Sequence, residues 1–239
     1  MCTVTLTPLG KTDFVLYSNR DEAPSRVSTP PEFYVYNDTQ LLYPRDVESG
    51  GTWVGLSEKN RCICLLNGGF DIHERKPSYR QSRGIVVKDL LSSVTIVEAI
   101  DNYNLNDIEP FTMVIVDWTN QLEFYELVWD GHQKHFKSLE KESHIWSSST
   151  LFNVKMREER MQWFNDFKSE NKLNSESLAL FHKTAGKGNN DYGVIMNRGF
   201  VKTTSITRVE KQDATIRMYY EDLATNNQSE KILNQVPAS

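Results

Sequence analysis

Short runs of apolar residues separated by turn residues fill the first half of the chain, and this alternation predicts β-hairpins. The runs Thr3–Leu9 and Phe14–Asn19 are separated by Gly10-Lys11-Thr12-Asp13, a sequence typical of a tight turn. Further pairs of runs show the same arrangement: Trp53–Leu56 with Cys62–Leu66, Phe111–Asp117 with Leu122–Val128, and Phe200–Val209 with Ala214–Tyr220. Each pair predicts an antiparallel hairpin.

Segments between the hairpins show helical spacing of apolar residues. They predict helices at Gly84–Leu91, Thr95–Asn102, 154–168 and Ser175–Lys183. One stripe of the third helix carries Met156, Arg160, Trp163, Phe164 and Phe167. The order of strands, helices, strands, helices and strands favours an α+β fold, with antiparallel sheets and helices on the outer faces. We expect one domain over residues 1–239, with a flexible tail from Thr225.

The composition is that of an ordinary globular protein. Of the 239 residues, 38% are hydrophobic and 25% are charged, and the formal net charge is −5. This mildly acidic balance argues against a nucleic-acid partner, which usually requires a basic patch. Since no apolar run reaches about 18 residues, no membrane span is predicted.

The cysteines Cys2, Cys62 and Cys64 are an odd set without disulfide spacing, and the chain begins without a signal-peptide pattern. Both features favour a reducing, cytoplasmic location. Cys62 and Cys64 fall in an apolar run and are interpreted as small buried residues. The histidines are scattered, so no metal site is expected.

Cys2 directly follows the initiating methionine. Removal of Met1 before this small residue would leave a thiol and a free α-amine on one carbon. An α-amine has a pKa of about 7.7, which suits a general base at cellular pH. Cys2 is therefore a candidate N-terminal nucleophile that carries its own base.

The first predicted hairpin returns the polar segment Ser18–Glu22 to Cys2. If the turn centres between Lys11 and Thr12, Cys2 lies opposite Asp21, within one or two residues. A carboxylate there would hold the α-amine, and a nearby arginine, Arg20, would favour the thiolate. Glu22 is interpreted as part of a solvated loop.

Asn67, Gly68 and Gly69 end a strongly apolar run. The asparagine offers an amide donor, and the glycines allow backbone N–H groups to approach a ligand. This composition suits an oxyanion hole, with Asn67 and the Gly68 backbone facing the Cys2 thiol.

Five motifs together resemble the NRDE family, which includes transport and Golgi organisation protein 2. They are Met1-Cys2, Asn19-Arg20-Asp21-Glu22, Gly50-Gly51-Thr52-Trp53-Val54-Gly55, Leu66-Asn67 and Ser82-Arg83-Gly84. The likeness continues through the Trp163 helix to Lys202–Ser205 and so covers nearly the whole chain. That family is similar to the cysteine branch of the N-terminal nucleophile hydrolases, such as bile salt hydrolases and penicillin V acylase.

The resemblance implies a four-layer αββα sandwich and amide hydrolysis through an acyl-cysteine. It implies Cys2 as the nucleophile, Asp21 as the residue that orients its amine, and Asn67 as the oxyanion donor. The implied substrate-binding residues are Asn19, Arg20, Gly68, Ser148 and Lys202.

Several positions depart from the hydrolase pattern. The arginine of the motif follows the asparagine, as Arg20, instead of preceding it. Ser148 or Ser149 stands where a mid-chain asparagine is expected, and Lys202 stands in place of a late arginine.

Two hypotheses follow. The first is an amidohydrolase acting on carbon–nitrogen bonds other than peptide bonds in a small acylated substrate, without a cofactor. The second is a non-catalytic carrier or chaperone for haem or acyl-CoA/lipid, in which Cys2 would ligate haem iron. The sequence leaves the oligomeric state open.

Overall fold

The computed structural model describes the backbone of residues 2–234 and the side chains of residues 3–233. Its strands in chain order are β1 Cys2–Leu9, β2 Asp13–Glu22, β3 Ser28–Tyr36, β4 Thr39–Asp46, β5 Val54–Ser57, β6 Arg61–Asn67, β7 Phe111–Asp117, β8 Glu123–Trp129, β9 Lys134–Leu139, β10 His144–Ser147, β11 Lys202–Gln212, β12 Thr215–Asp222 and β13 Gln228–Asn234. Its helices are α1 Arg83–Ser92, α2 Ile96–Asn102, α3 Val154–Glu170 and α4 Ser175–Thr184.

The strands form two antiparallel sheets. The six-stranded sheet has the order β10-β1-β2-β11-β12-β13, and the seven-stranded sheet has the order β3-β4-β5-β6-β7-β8-β9. Every predicted hairpin and helix is present, with boundaries that differ by a few residues at most. The predicted α+β class is confirmed.

Apolar residues on both faces of the six-stranded sheet create two separate cores. Val4, Leu6, Phe14 and Leu16 belong to the large core that includes the seven-stranded sheet, α1 and α2. On the opposite face, a smaller core joins the sheet to α3 and α4, with Val15, Tyr17, Ile206, Phe164, Leu178 and Phe181 among its members. The molecule is therefore a four-layer αββα sandwich, as the resemblance implied.

The tail prediction is wrong for part of its length. Residues from Thr225 were expected to be flexible, but Gln228–Asn234 forms β13 and pairs with β12 along seven positions from Thr215 to Glu221. The backbone hydrogen bonds of this pairing hold the polar segment in place.

Cys62 and Cys64 are fully buried in the large core, as the apolar run predicted. Among the helices within residues 2–234, none combines the length and apolar character that a membrane crossing needs.

Candidate functional site

The segment Asn19–Glu22 ends β2, and its side chains alternate between the two faces of the six-stranded sheet. Asn19 and Asp21 face the layer of α3 and α4. Asn19 bonds to His182 on α4, whereas Asp21 accepts from Thr203 on the neighbouring strand β11 and is influenced by the charge of Arg160 on α3. Arg20 and Glu22 line a cleft at the end of the two sheets. The two pairs therefore belong to two different environments.

Asn19 is held by a fully buried hydrogen-bond network. Its Nδ2 donates to the carbonyls of His182 at 2.9 Å and Val194 at 2.8 Å, so its Oδ1 is left to accept from His182 Nδ1 at 2.8 Å. His182 Nε2 then accepts from the Thr5 hydroxyl at 2.8 Å. Burial and the nearby Arg160 charge lower the pKa of His182 to about 3, so the ring is neutral. The substrate contact predicted for Asn19 does not fit this position, because every polar group of its side chain is already used.

Asp21 is fully buried beside the same network. Its Oδ1 accepts from the Thr203 hydroxyl at 2.7 Å, whereas Oδ2 has no hydrogen-bond partner among the described residues. Burial raises the pKa of this carboxyl to about 6, although the Arg160 charge and the Thr203 hydrogen bond act to lower it. Asp21 is thus a carboxylate with one oxygen left open.

Arg160, on α3, is the buried cation opposite Asp21. Its guanidinium donates to the carbonyls of Tyr192 and Gly193, both at 2.8 Å, and also to the hydroxyl of Thr3. Burial lowers the pKa of Arg160 to about 10, and Asp21 acts against that shift. Arg160 therefore ties α3 to β1 one residue after Cys2.

The position of Cys2 differs by one residue from the predicted register. The first hairpin pairs Leu9 with Asp13 and Cys2 with Arg20, so Asp21 comes directly after the Cα partner of Cys2. This offset lies within the predicted error. The thiol of Cys2, which is the predicted nucleophile, lies outside the described side chains, as does Met1, and its role stays a prediction.

The cleft has a volume of about 360 Å³ and is lined by the ends of β2 and β6, the loop 75–82 and the start of α1. Arg20 forms part of its wall. Its guanidinium is paired with Asp46 at 2.7 Å and stacks on the Trp53 ring at 4.6 Å. Arg20 is therefore fixed, and its charge is matched by a buried carboxylate.

Two of the motifs that carried the family resemblance meet at this cleft. A Cβ on Gly51 would lie 2.9 Å from the Gly84 backbone, and a Cβ on Gly84 would lie 2.8 Å from the Thr52 backbone. Only glycines allow the start of α1 to approach this closely. Their contact brings Ser82 and Arg83 to the cleft wall beside Trp53.

Asn67 lines the cleft together with Arg20. Its side-chain amide makes no hydrogen bond to any side chain or backbone group within residues 3–233. The backbone carbonyl of Asn67 accepts from the hydroxyl of Ser148 at 2.6 Å. Ser148 thus supports the strand end that carries Asn67, and this buried hydroxyl also lies 3.0 Å from the Thr150 hydroxyl.

Gly68 does not offer the backbone donor that the sequence predicted. Its N–H donates to the carbonyl of Pro110 at 3.0 Å and its carbonyl accepts from Thr112. The glycine is needed for packing instead: its φ is +88°, and a Cβ would lie 2.2 Å from Ser149 Oγ. Lys202 is the Cα partner of Glu22 but is not among the residues that line the cleft.

Sequence reasoning missed the network residues His182 and Arg160. Arg160 carried a usable signal, since a charged residue on an otherwise apolar helical stripe indicates a buried charge with partners. His182 carried none, because its partners Asn19 and Thr5 lie more than 160 residues away in the chain.

Two hydrolases of known structure are similar to this chain in fold. A cysteine-to-alanine variant of the conjugated bile acid hydrolase from Clostridium perfringens matches with a TM-score of 0.56 and 11% identity, over 100% of this chain and 97% of that chain. The Caenorhabditis elegans ortholog of N-acylethanolamine-hydrolyzing acid amidase matches with a TM-score of 0.61 and 12% identity, over 98% of this chain and 100% of that chain. The chain therefore has the N-terminal nucleophile hydrolase fold.

The family itself is shown by sequence. A model of the Transport and Golgi organisation 2 family matches residues 1–230, and the chain belongs to that family. The resemblance drawn from the motifs is thereby confirmed. A comparison with curated protein sequences gives no match.

Proposed function

We propose that this protein is a cysteine N-terminal nucleophile amidohydrolase that cleaves a small acylated substrate through an acyl-Cys2 intermediate. The observation that carries the proposal is the open Oδ2 of Asp21, buried directly after the Cα partner of Cys2. A buried carboxylate oxygen without a donor destabilises a fold. An α-amine at Cys2 would provide the missing donor, and this is the role proposed for Asp21.

The proposed reaction starts with removal of Met1. The α-amine of Cys2 takes the thiol proton, and the thiolate attacks the substrate carbonyl carbon to form the C–S bond. The Asn67 amide donates to the resulting oxyanion. As the C–N bond breaks, the ammonium proton passes to the leaving nitrogen. Water then attacks the thioester, the amine accepts its proton, and the acid and the free thiol are released.

The similar enzymes support an amide as the substrate, since their names specify a conjugated bile acid and an N-acylethanolamine. The cleft of about 360 Å³ is large enough for a small acylated molecule. The proposal for this chain is limited to that class.

Intact mass spectrometry tests the proposal in two steps. The purified protein should lack Met1, and brief exposure to p-nitrophenyl octanoate followed by acid quenching should add one octanoyl group. Cys2→Ala should show no adduct. Cys62→Ala is the matched control and should keep the adduct, because Cys62 is fully buried and burial raises the pKa of its thiol.

Retention of Met1, or an adduct that persists in Cys2→Ala, would reject the proposal. Haem titration provides the contrasting measurement: a Soret band that requires Cys2, with no acyl adduct, would favour the carrier hypothesis.

A further inference from the structure

Arginines from opposite walls meet where the cleft joins a second lobe of about 250 Å³. Arg26, Arg75 and Arg83 line both lobes, together with Asn67. The arginine cluster, as we call these three residues, therefore shares the wall of both lobes with the proposed oxyanion donor.

The nearby carboxylates are distributed unevenly over the arginine cluster. On one wall, Glu109 alone pairs with Arg83 at 3.0 Å and with Arg75 at 3.7 Å, and it also contacts His73 at 3.4 Å. One carboxylate therefore serves two guanidiniums. Arg75 has 77% of its side chain exposed, so it is free to turn toward a ligand.

The opposite wall holds Arg26, which has the exposed Glu48 at 3.8 Å and pairs with two more buried carboxylates, Asp46 at 2.8 Å and Glu22 at 3.7 Å. Both carboxylates also lie within 4.0 Å of Arg20. Every buried carboxylate of the cleft is thus already paired with an arginine, which argues against a cation as the ligand.

Arg83 experiences the like charges of the cluster directly. Burial lowers the pKa of its guanidinium, Glu109 opposes that shift, and Arg75 and Arg26 both lower the pKa further. An anion between the walls would relieve this repulsion.

Two buried hydrogen-bond donors within the cleft wall also have no acceptor among the described residues. Trp53 is 94% buried, and its Nε1 has no partner among residues 2–234. Ser82, the N-cap of α1, makes no capping bond, and its buried hydroxyl has no partner in that same range. The start of α1 adds backbone N–H groups that favour an anion. The residues that line the cleft include five lysines and arginines, namely Arg20, Arg26, Arg75, Lys76 and Arg83, against four carboxylates, namely Glu22, Asp46, Glu48 and Glu109, so its wall has one positive charge in excess.

We infer that Arg75 and Arg83, with the uncapped start of α1, form a subsite for a carboxylate or phosphate group that the substrate carries close to its scissile amide. This inference rests on the proposed function, which it narrows from any small acylated molecule to an anionic one. A neutral ethanolamide would offer no anionic group to the exposed Arg75, which shares Glu109 with Arg83.

Binding to the Cys2→Ala protein tests the subsite without turnover. The probes are N-octanoylglycine and its neutral counterpart N-octanoylethanolamine, compared by isothermal titration calorimetry. The glycine conjugate should bind at least about tenfold more tightly, since charge-assisted hydrogen bonds to arginine are among the strong ones. Arg75→Gln and Arg83→Gln should each remove most of that preference.

Arg80→Gln is the matched control. Arg80 lies in the same loop and bears the same charge, but it donates to the carbonyls of Asn104 and Asn106 and does not line the cleft. Its replacement should leave the preference unchanged. Arg75→Gln keeps the test valid even if Arg83→Gln fails to fold, because Arg75 is exposed.

Inorganic phosphate is the second probe. Displacement of the glycine conjugate by phosphate, but not by sodium chloride of equal ionic strength, supports a specific oxyanion subsite. Equal displacement by both salts indicates simple screening and overturns the inference. Equal binding of the two octanoyl compounds overturns it as well.

Different results would reject the anion subsite and the proposed amidohydrolase activity. Arginine-dependent binding of N-octanoylglycine without hydrolysis by the wild type would retain the subsite and reject the amidohydrolase. Equal hydrolysis of both compounds, unaffected by Arg75→Gln, would retain the amidohydrolase and reject the subsite.

Discussion

In a form of the protein that retains Met1, so that no α-amine of Cys2 pairs with the carboxylate, replacing Asp21 by asparagine should make the protein more stable at neutral pH. In the processed form the same change should lower the proposed activity, because the amine loses its partner. Asparagine keeps the shape of the side chain and an oxygen that accepts from Thr203. It removes a charge that is fully buried. The variant therefore mimics the protonated form of Asp21.

The size of the effect follows from the pKa. Burial raises the pKa of Asp21 from 3.8 to about 6, so the folded state holds the proton more tightly than the unfolded state. The stability that this proton provides is complete below the unfolded pKa and is lost as the pH rises through the folded pKa. A shift of roughly two units corresponds to about 3 kcal/mol, which the ionised wild type lacks at pH 7.5.

Urea denaturation of both proteins between pH 4.5 and 8 measures the difference. It should grow from about 1 kcal/mol at pH 4.5 to about 3 kcal/mol at pH 7.5. The pH dependence of wild-type stability alone does not isolate the Asp21 contribution, because His182 has a lowered pKa and contributes a pH dependence of the opposite sign in the acid range. Subtracting the two proteins cancels that contribution.

Asp101→Asn provides the background. Asp101 is exposed on α2, so its replacement should change the free energy of unfolding by less than about 0.5 kcal/mol at every pH. If Asp21→Asn destabilises the protein at pH 7.5, or changes stability equally at all pH values, the reasoning about the buried carboxylate is wrong.

Other perturbations of the site have distinct expected outcomes. Arg160→Met should lower the free energy of unfolding by about 3 kcal/mol or more in urea denaturation, because it leaves buried carbonyls unpaired. It should also shift the acid limb of the pH–activity profile to higher pH, because Asp21 loses its cation. A purely structural role of Arg160 would leave the acid limb at its wild-type pH. Asn67→Ala should lower kcat about a hundredfold or more with little change in KM, and an unchanged kcat would remove it from the oxyanion site. Because the His182 pKa is lowered to about 3, the stability that neutral His182 contributes should be lost as the pH drops from 6.5 toward 3, and the difference in free energy of unfolding between wild type and His182→Gln should shrink over that range in urea denaturation.

The sequence predicted the interior strands except β4 and missed all four edge strands. Edge strands β3, β9, β10 and β13 border the two sheets, and none of them has the regular apolar alternation of a half-buried strand. In β3, Pro30 and Pro31 argued against a strand, and the register shifts between Thr29 and Glu32 where they occur. Polar residues and prolines protect sheet edges from further pairing, so the pattern rule fails there for a physical reason.

The site was only partly predictable because hairpin register depends on a local detail. The prediction assumed a four-residue turn, whereas Gly10 adopts a φ of +89° and the loop closes between Leu9 and Asp13. The shift of one residue placed Arg20, not Asp21, opposite Cys2. Partners that come from distant helices, such as Arg160 and His182, cannot be read from spacing at all.

Strand geometry explains why the Asn19-Arg20-Asp21-Glu22 motif at the end of β2 needs consecutive polar residues of different kinds. Residues 14–21 of β2 are buried throughout, because the strand lies between the helix layer and the second sheet. Successive side chains point to opposite faces, so Asn19 and Asp21 must be matched by His182 and the α3 guanidinium, while Arg20 must be matched by Asp46 across the cleft. A slip of one residue would exchange the two sets and place each charge against partners of the wrong kind. The motif therefore fixes the register of β2, and that register sets the distance between the open carboxylate oxygen and the cleft.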